Sequence, residues 1–297
     1  MRNNISKYFI RCIIFLKIRG IFSKNFTKTI RRVFSKTFAI AEKNLLTNFR
    51  FKYGVVMGWF VPLITFLMPI IILNKFFEFE NYDFGPWTPQ NYLIFIFIGY
   101  NIMIMKNMID YIPRYLLQEK YWKTLPALIT APFNRFYLLF GFIISEFLSI
   151  LIPFMTFFIV MLIFIPVSIE TLIFIVLMFI GVGIVFSGTG LFLGAFAISN
   201  ENYLHIFGFA SKLILWFSCI TYPFELFPGW VKNVIRINPI YYLIDIIRLT
   251  WIENNIILTI SSHIMHFFIF IIFLIIFPII CVYFFNIIYK KLGISGY

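Results

Sequence analysis

The sequence predicts an all-α integral membrane protein: six transmembrane helices with both termini cytoplasmic, an N-terminal interfacial helix, and short extracellular re-entrant helices before the last span. Three observations predict it. Sixty-one per cent of residues are hydrophobic and only 12% are charged, where a soluble domain carries about 25% charge. Mean hydropathy is +0.93. Apolar runs of roughly 20 residues, enough to cross about 30 Å of hydrocarbon, recur along the chain, and the basic residues concentrate in alternate loops.

The N-terminal segment comes first. Residues 1–53 hold 13 of the 25 Lys and Arg and one acid, Glu42. Such an excess just before a span places it on the cytoplasmic side. The net charge of +13 would otherwise raise nucleic acid, but no recognition motif accompanies it. Arg11, Lys17 and Arg19 interrupt the apolar stretch at 8–22 and no small-residue cleavage site follows, which argues against a signal peptide. Interleaved basic and aromatic residues over 8–52 suit helices lying in the cytoplasmic interface, and the interfacial helix is expected over 36–52. Residues 1–35 read as a basic cytoplasmic extension, 36–290 as the transmembrane domain and 291–297 as a cytoplasmic tail.

The expected spans are about 54–73, 92–108, 136–165, 171–198, 203–222 and 263–289, the second carrying Asn101 and Lys106. Loop 74–91 sets Lys75 against Glu78, Glu80 and Asp83, which places it outside. Loop 106–135, with Lys106, Arg114, Lys120, Lys123 and Arg135, belongs inside. The turn at 166–170 has no Lys or Arg and falls outside, 199–202 falls inside, 223–261 outside, and Lys290 and Lys291 close the chain inside. Glycines between Gly181 and Gly194 lie within a span and point to close helix packing. Two charges also fall within spans. Glu146 and Lys212 sit at matched depth with opposite sign, where a lone charge costs at least about 2.5–3.5 kcal/mol; they either pair or share a water-filled pathway, or the third span starts earlier or tilts so that Glu146 reaches the interface while Lys212 snorkels.

Cys12, Cys219 and Cys281 are far apart, with no disulfide framework and no metal spacing. His263 and His266 flank the start of a hydrophobic run and read as membrane-interface residues, not as a ligand pair. No constellation of carboxylates and His marks a membrane enzyme acting on lipids, the alternative reading of a polytopic chain. A channel would need polar rings along spans that are here mostly Phe, Ile and Leu.

Two loops carry more specific information. The inside segment 118–135 is amphipathic and bounded by Pro132. The outside segment 223–261 has Pro228 suited to the start of a short helix and Asn238-Pro239 breaking that helix and opening another. In the second helix Ile240, Leu243, Ile244, Ile247 and Trp251 share one face. Tyr241, Asp245 and Arg248 form a neighbouring polar stripe on which Asp245 and Arg248 can pair.

The inside segment resembles the cytoplasmic loop of ABC-2 type permeases, the membrane subunits of drug, lipooligosaccharide and polysaccharide exporters. Their pattern E-x-x-x-G-T-L-x-x-L-L-x-T-P-x-x-R is met at Glu119, Thr124, Leu125, Leu128, Pro132 and Arg135; Lys123 replaces the Gly, Pro126 a frequent Glu and Ala131 the Thr. The outside segment resembles the same family's F-P-x-x-x-L-P-x-W and N-P-L-x-Y-x-x-D-x-x-R signatures at Phe224, Pro228, Trp230, Asn238, Pro239, Tyr242, Asp245 and Arg248. The resemblance covers about residues 36–290. It implies that the inside loop is a coupling helix docking into an ATPase subunit, and that this six-span chain is a half-transporter in the cell membrane. Homodimerisation, or pairing with a paralogous permease, and two ATPase subunits would follow. The chain has no G-x-x-x-x-G-K-[ST] loop, so it would bind no cofactor itself, and ATP with Mg2+ would be used by the partner. The implied function is export of an amphipathic, lipid-linked or drug-like substrate by alternating access.

Overall fold

The computed structural model describes residues 24–50, 52–76, 85–89, 91–124, 135–200 and 202–292. Among them every regular element is helical and no strand occurs. The chain forms α1 (Lys24–Arg50), α2 (Lys52–Phe76), α3 (Tyr92–Tyr121), α4 (Arg135–Phe164), α5 (Ile169–Ser199) and α6 (Asn202–Trp216). A 3-10 turn (Phe224–Leu226) leads to α7 (Gly229–Ile237), α8 (Pro239–Glu253), α9 (Ile256–Ser262) and α10 (Ile264–Leu292).

Four stretches are long and apolar enough to cross a membrane: Tyr92–Tyr121, Phe140–Phe164, Ile169–Ser199 and Ile264–Ile288. They coincide with the second, third, fourth and sixth expected spans. At the first expected span stands α2, 25 residues long. The fifth is shorter than expected: α6 has 15 residues, about 22 Å at 1.5 Å per residue, and its apolar part is His205–Trp216. The backbone leaves the helix at 217, passes through Cys219 at φ +55° and reaches Pro223, which cannot continue a helix. Conversely, α3 runs past residue 108 to Tyr121, so the first part of the expected inside loop is helix. Its end is marked by Trp122, whose N–H bonds the Gln118 carbonyl, and by Lys123 in the left-handed region at φ +57°.

Sequence explains where several helices start. Ser168 caps α5, its hydroxyl accepting from the Thr171 N–H at 3.3 Å, with Glu170 in the first turn where the helix dipole favours an anion. Asn238 caps α8 with Pro239 at its first position. Asn255 caps α9 through the Leu258 N–H at 3.1 Å.

The centre of the fold is α5, and its glycines make it so. A Cβ on Gly190 would stand 2.7 Å from the Met108 carbonyl oxygen of α3, and one on Gly194 would stand 2.4 Å from Leu116. On another face Gly188 meets Pro278 of α10. Close packing, not phosphate binding, is what this glycine run does. Around it lies one core in which Ile98, Ile102 and Met105 of α3 meet Val182, Val185 and Phe186 of α5 and Leu243, Ile247 and Trp251 of α8.

The connections gather at two ends. At the upper end Trp251 Nε1 donates to the Ile165 carbonyl at 3.3 Å, and the Ser168 N–H donates to Asn254 Oδ1 at 2.8 Å, joining the start of α5 to the close of α8. At the lower end Lys120 Nζ donates to the Ile198 carbonyl at 3.3 Å, and Phe285 and Ile288 of α10 pack with Tyr115 and Ile198. Here too lies α1. It turns Thr37, Ala41 and Asn44 inward and runs beside α4 in the same direction, Ile40 against Gly141 and Asn48 bonded to Ser149 at 3.3 Å. The helix expected over 36–52 thus begins earlier, at Lys24, runs without a break through 35, and is packed into the bundle.

Candidate functional site

Two sites follow from these ends. The lower one surrounds the foot of the inside loop. Glu119, on the last turn of α3, is buried, forms an ion pair with Lys43 of α1 and accepts from the Thr124 hydroxyl at 2.5 Å. The same hydroxyl reaches the Glu119 carbonyl at 3.2 Å. One carboxylate therefore fixes both the end of α3 and the direction in which the chain departs. Leu125, Leu128 and Pro132 lie outside the described residues, as does the side chain of Arg135, whose backbone opens α4.

One to two turns further into the bundle stands Glu146, 0% exposed. The expected pairing with Lys212 is not what the structure shows. Lys212 is exposed on α6, and no ion pair joins the two among the described residues. Tyr115 donates its hydroxyl to Glu146 Oε1 at 2.5 Å instead, while Oε2 has no hydrogen-bond partner. The reason is helix neighbourhood: α4 packs on α3 and α1, whereas α6 packs on α5.

The upper site is built on the carbonyls that α6 leaves open where it ends. A helix end exposes unsatisfied C=O groups that need donors. Asn238 Nδ2 takes two of them, Ile214 at 2.7 Å and Phe217 at 3.0 Å, while its Oδ1 accepts from the Ile240 N–H. Arg248 takes the next two, Cys219 at 2.7 Å and Ile220 at 2.8 Å, and reaches the Phe95 carbonyl at 3.4 Å. Its guanidinium lies 3.6 Å from the centre of the Phe95 ring, a cation–π contact. Burial lowers its pKa to about 10, so it stays charged at neutral pH. The expected pairing of Asp245 with Arg248 is therefore not formed. Arg248 turns inward to the open carbonyls, and Asp245 faces His266, with Oδ2 and Nδ1 3.1 Å apart.

The remaining motif residues arrange the surface above. Phe224 stacks on Tyr241 with ring centres 5.5 Å apart and lies under Lys232 and Arg236. Pro228 caps α7 one residue before its first turn, and Tyr242 donates to the Arg236 carbonyl at 2.8 Å, closing the other end of that helix. Trp230 points outward, 70% exposed. Helix α8 buries its expected apolar face together with Tyr242 and Arg248.

Between α8, the start of α10 and residues 86–95 is a cavity of about 270 Å3. Trp87, Phe95 and Phe224 form its aromatic wall, and Glu225, Asp245, Glu253, Arg248, His263 and His266 its ionisable one. His263 Nε2 lies 3.0 Å from Glu253 Oε1. The two histidines are thus not merely interface residues: each faces a carboxylate of α8. Their separations in sequence from those carboxylates, 10 for His263 and more for His266, follow no helical or metal-site spacing, so only the fold reveals the pairing. No group of three or more His, Cys or acidic side chains suited to a metal occurs among the described residues.

The family description "ABC-2 type transporter" matches residues 35–251 of this chain, which spans the lower site and the upper site as far as α8. No curated protein matches the chain. A tightly packed apolar helix bundle, an acid-anchored loop foot at one end, and a short α7–α8 pair locked to the end of α6 at the other are what the matched region contains. The chain belongs to the ABC-2 type transporter family, and is a membrane transport component rather than a catalytic subunit.

Proposed function

We propose that this chain is the permease subunit of an ATP-driven exporter. In this reading two permease copies form the transport unit, each docked through its lower-end loop on a separate ATPase subunit. The lower end faces the cytoplasm and the upper end the outside, across the cell membrane, with α2 and α6 completing a set of six spans. ATP binding closes the ATPases, the loop at 125–134 is displaced, and α3 and α4 carry that displacement upward to open the other end. Cargo is amphipathic, lipid-linked or drug-like, matching the scarcity of charge along the spans.

The observation that supports this most is the anchoring of the loop's foot. Family members of this kind work with an ATPase subunit, and a docked loop transmits motion only if its base is rigid. Here Glu119 ties the end of α3 to α1 and to Thr124, where the chain leaves for the loop. The test is co-purification. Replacing Leu125 or Leu128 by Asp buries a charge in an apolar contact, which costs at least ~2 kcal/mol, or roughly thirtyfold in affinity. Expected is loss of the ATPase from the purified complex in both variants with permease yield unchanged. ATPase retained at the wild-type ratio would refute docking at this loop.

A further inference from the structure

In the six-span reading Lys212 lies at mid-depth in the membrane, and docking and transport as described give it no task. It is the only Lys, Arg, Asp or Glu of α6. It stands about 15 Å above Asn202, the first residue of that helix, at 1.5 Å per residue. The seam of α6 to α5 is made by Phe207, whose ring meets those of Phe192 and Phe196, and Leu215 two turns further is buried. Lys212 falls beside that seam and is exposed. Among the described residues nothing pairs with its ammonium.

A charge facing hydrocarbon is costly, and lysines near helix ends avoid it by carrying the ammonium to the interface. Geometry works against that escape here. Helical side chains lean toward the N-terminus of their own helix, which for α6 is the lower end, and the four-carbon stem of lysine does not cover the distance. Toward the upper end the same face carries Trp216, one turn above and 78% exposed, while Phe209, 65% exposed, stands one turn below. Residues three and four apart are neighbours on a helix surface, so Phe209, Lys212 and Trp216 form a stripe in which a cation sits between two broad apolar rings. Lipid tails satisfy the rings and not the cation; water satisfies the cation and not the rings. A molecule with an apolar body and a negative group satisfies both.

We propose that the face of α6 bearing Phe209, Lys212 and Trp216 borders the cargo path and holds the anionic group, a phosphate or a carboxylate, of an amphipathic substrate. The inference rests on the permease reading and narrows its cargo to amphipathic anions. Lys212 pairs with the anion, and the rings of Phe209 and Trp216 flank the apolar body. Alkyl phosphates and fatty carboxylates carry this chemistry and amphipathic amines do not. Anionic headgroups of the surrounding lipid carry it too, so the test separates cargo from lipid.

The test uses the full chain in nanodiscs of phosphatidylcholine, with neither ATPase nor transport, so its failure leaves the permease reading to stand or fall by co-purification. Cys12 is replaced by Ser, and the buried Cys219 and Cys281 are kept. Phe209→Cys reports on the stripe through its rate of reaction with a charged, water-soluble thiosulfonate. Ile275→Cys on α10, exposed among apolar neighbours, gives the rate of a thiol facing lipid. Expected is reaction at 209 and none above background at 275, because the reacting thiolate forms in water. Dodecyl phosphate slows the reaction at 209, and dodecyltrimethylammonium does not. Adding Lys212→Met raises the concentration of dodecyl phosphate needed by at least about tenfold, the loss of one hydrogen bond to a charged group, and Lys212→Arg restores protection. Exchanging part of the phosphatidylcholine for anionic phosphatidylglycerol leaves the rate at 209 unchanged. A thiol at 209 as inert as that at 275, equal protection by the two amphiphiles, full protection in Lys212→Met, or slowing by phosphatidylglycerol overturns the site. The first and last of these outcomes place Lys212 against lipid.

Discussion

Asn238 and Arg248 show how much of a motif residue's work is invisible until its partner is known. Both were legible as members of an N-P-x-x-Y-x-x-D-x-x-R spacing, and Asn238 was legible as the break between two helices. That they satisfy the carbonyls of 214, 217, 219 and 220 was not, because those acceptors are backbone atoms that leave no mark in side-chain spacing. The pairings of Asp245 with Arg248 and of Glu146 with Lys212 were inferred from charge and register. Open carbonyls outbid the first, and helix neighbourhood excluded the second. Two measurements follow. Arg248→Met should leave at least two buried carbonyls without donors, a loss of roughly 2–6 kcal/mol at about 1–3 kcal/mol each; detergent-solubilised protein should unfold at distinctly lower temperature, and Arg248→Lys should rescue little because a point-charge ammonium cannot fork between two acceptors. Lys123 occupies a left-handed position where the family pattern has Gly. Strain of about 1–2 kcal/mol for a side chain there exceeds the roughly 0.5–1 kcal/mol that glycine loses in entropy. Lys123→Gly should therefore raise thermal stability slightly, and a fall would show that the Lys123 side chain makes a compensating contact.

Helices were read from the sequence with uneven success, and the unevenness has a cause. Period and composition located α4, α5, α8 and α10, since each has a long apolar run or a clear buried face. Termini depended on partners instead. The helix α3 continues to Tyr121 through polar residues because Glu119 and Lys120 are held by Lys43 and the Ile198 carbonyl, while α6 stops early because Asn238 and Arg248, the cap and an inner residue of α8, supply donors for its end. Hydropathy sees neither effect. The glycines of α5 were read correctly because close helix approach is a property of the residue itself. They allow a paired test. Gly190→Ala puts a methyl 2.7 Å from a backbone oxygen of α3, and overpacking of this kind costs about 1–3 kcal/mol. Gly208→Ala on α6 meets nothing within 4 Å and removes a flexible residue from a helix, a gain of up to ~1 kcal/mol. Opposite shifts in melting temperature are expected, and equal shifts would mean that α5 does not pack on α3 as described.

For the molecule as a whole, the alternation of loops was the most readable feature. Among the described residues, 165–168, 86–87 and the 219–254 stretch meet at the upper end, and the close of α3 meets the close of α5 at the lower end, even though the span lengths differed from expectation. Sidedness is directly measurable. With the native cysteines replaced, a Cys at Trp230 or Ile257, both exposed at the upper end, should react with an impermeant thiol reagent added to intact cells, while one at Lys123 should react only after permeabilisation. The reverse pattern would invert the orientation.

The position of α1 has a mechanical consequence. It grips α3 through Lys43 and Glu119 and grips α4 through Ile40 and Asn48. A single strut thus ties together the end of one helix and the lower part of the next. Parting α3 from α4 at this end requires giving up the Lys43–Glu119 pair or the Asn48–Ser149 bond as well as the packing between the two helices themselves.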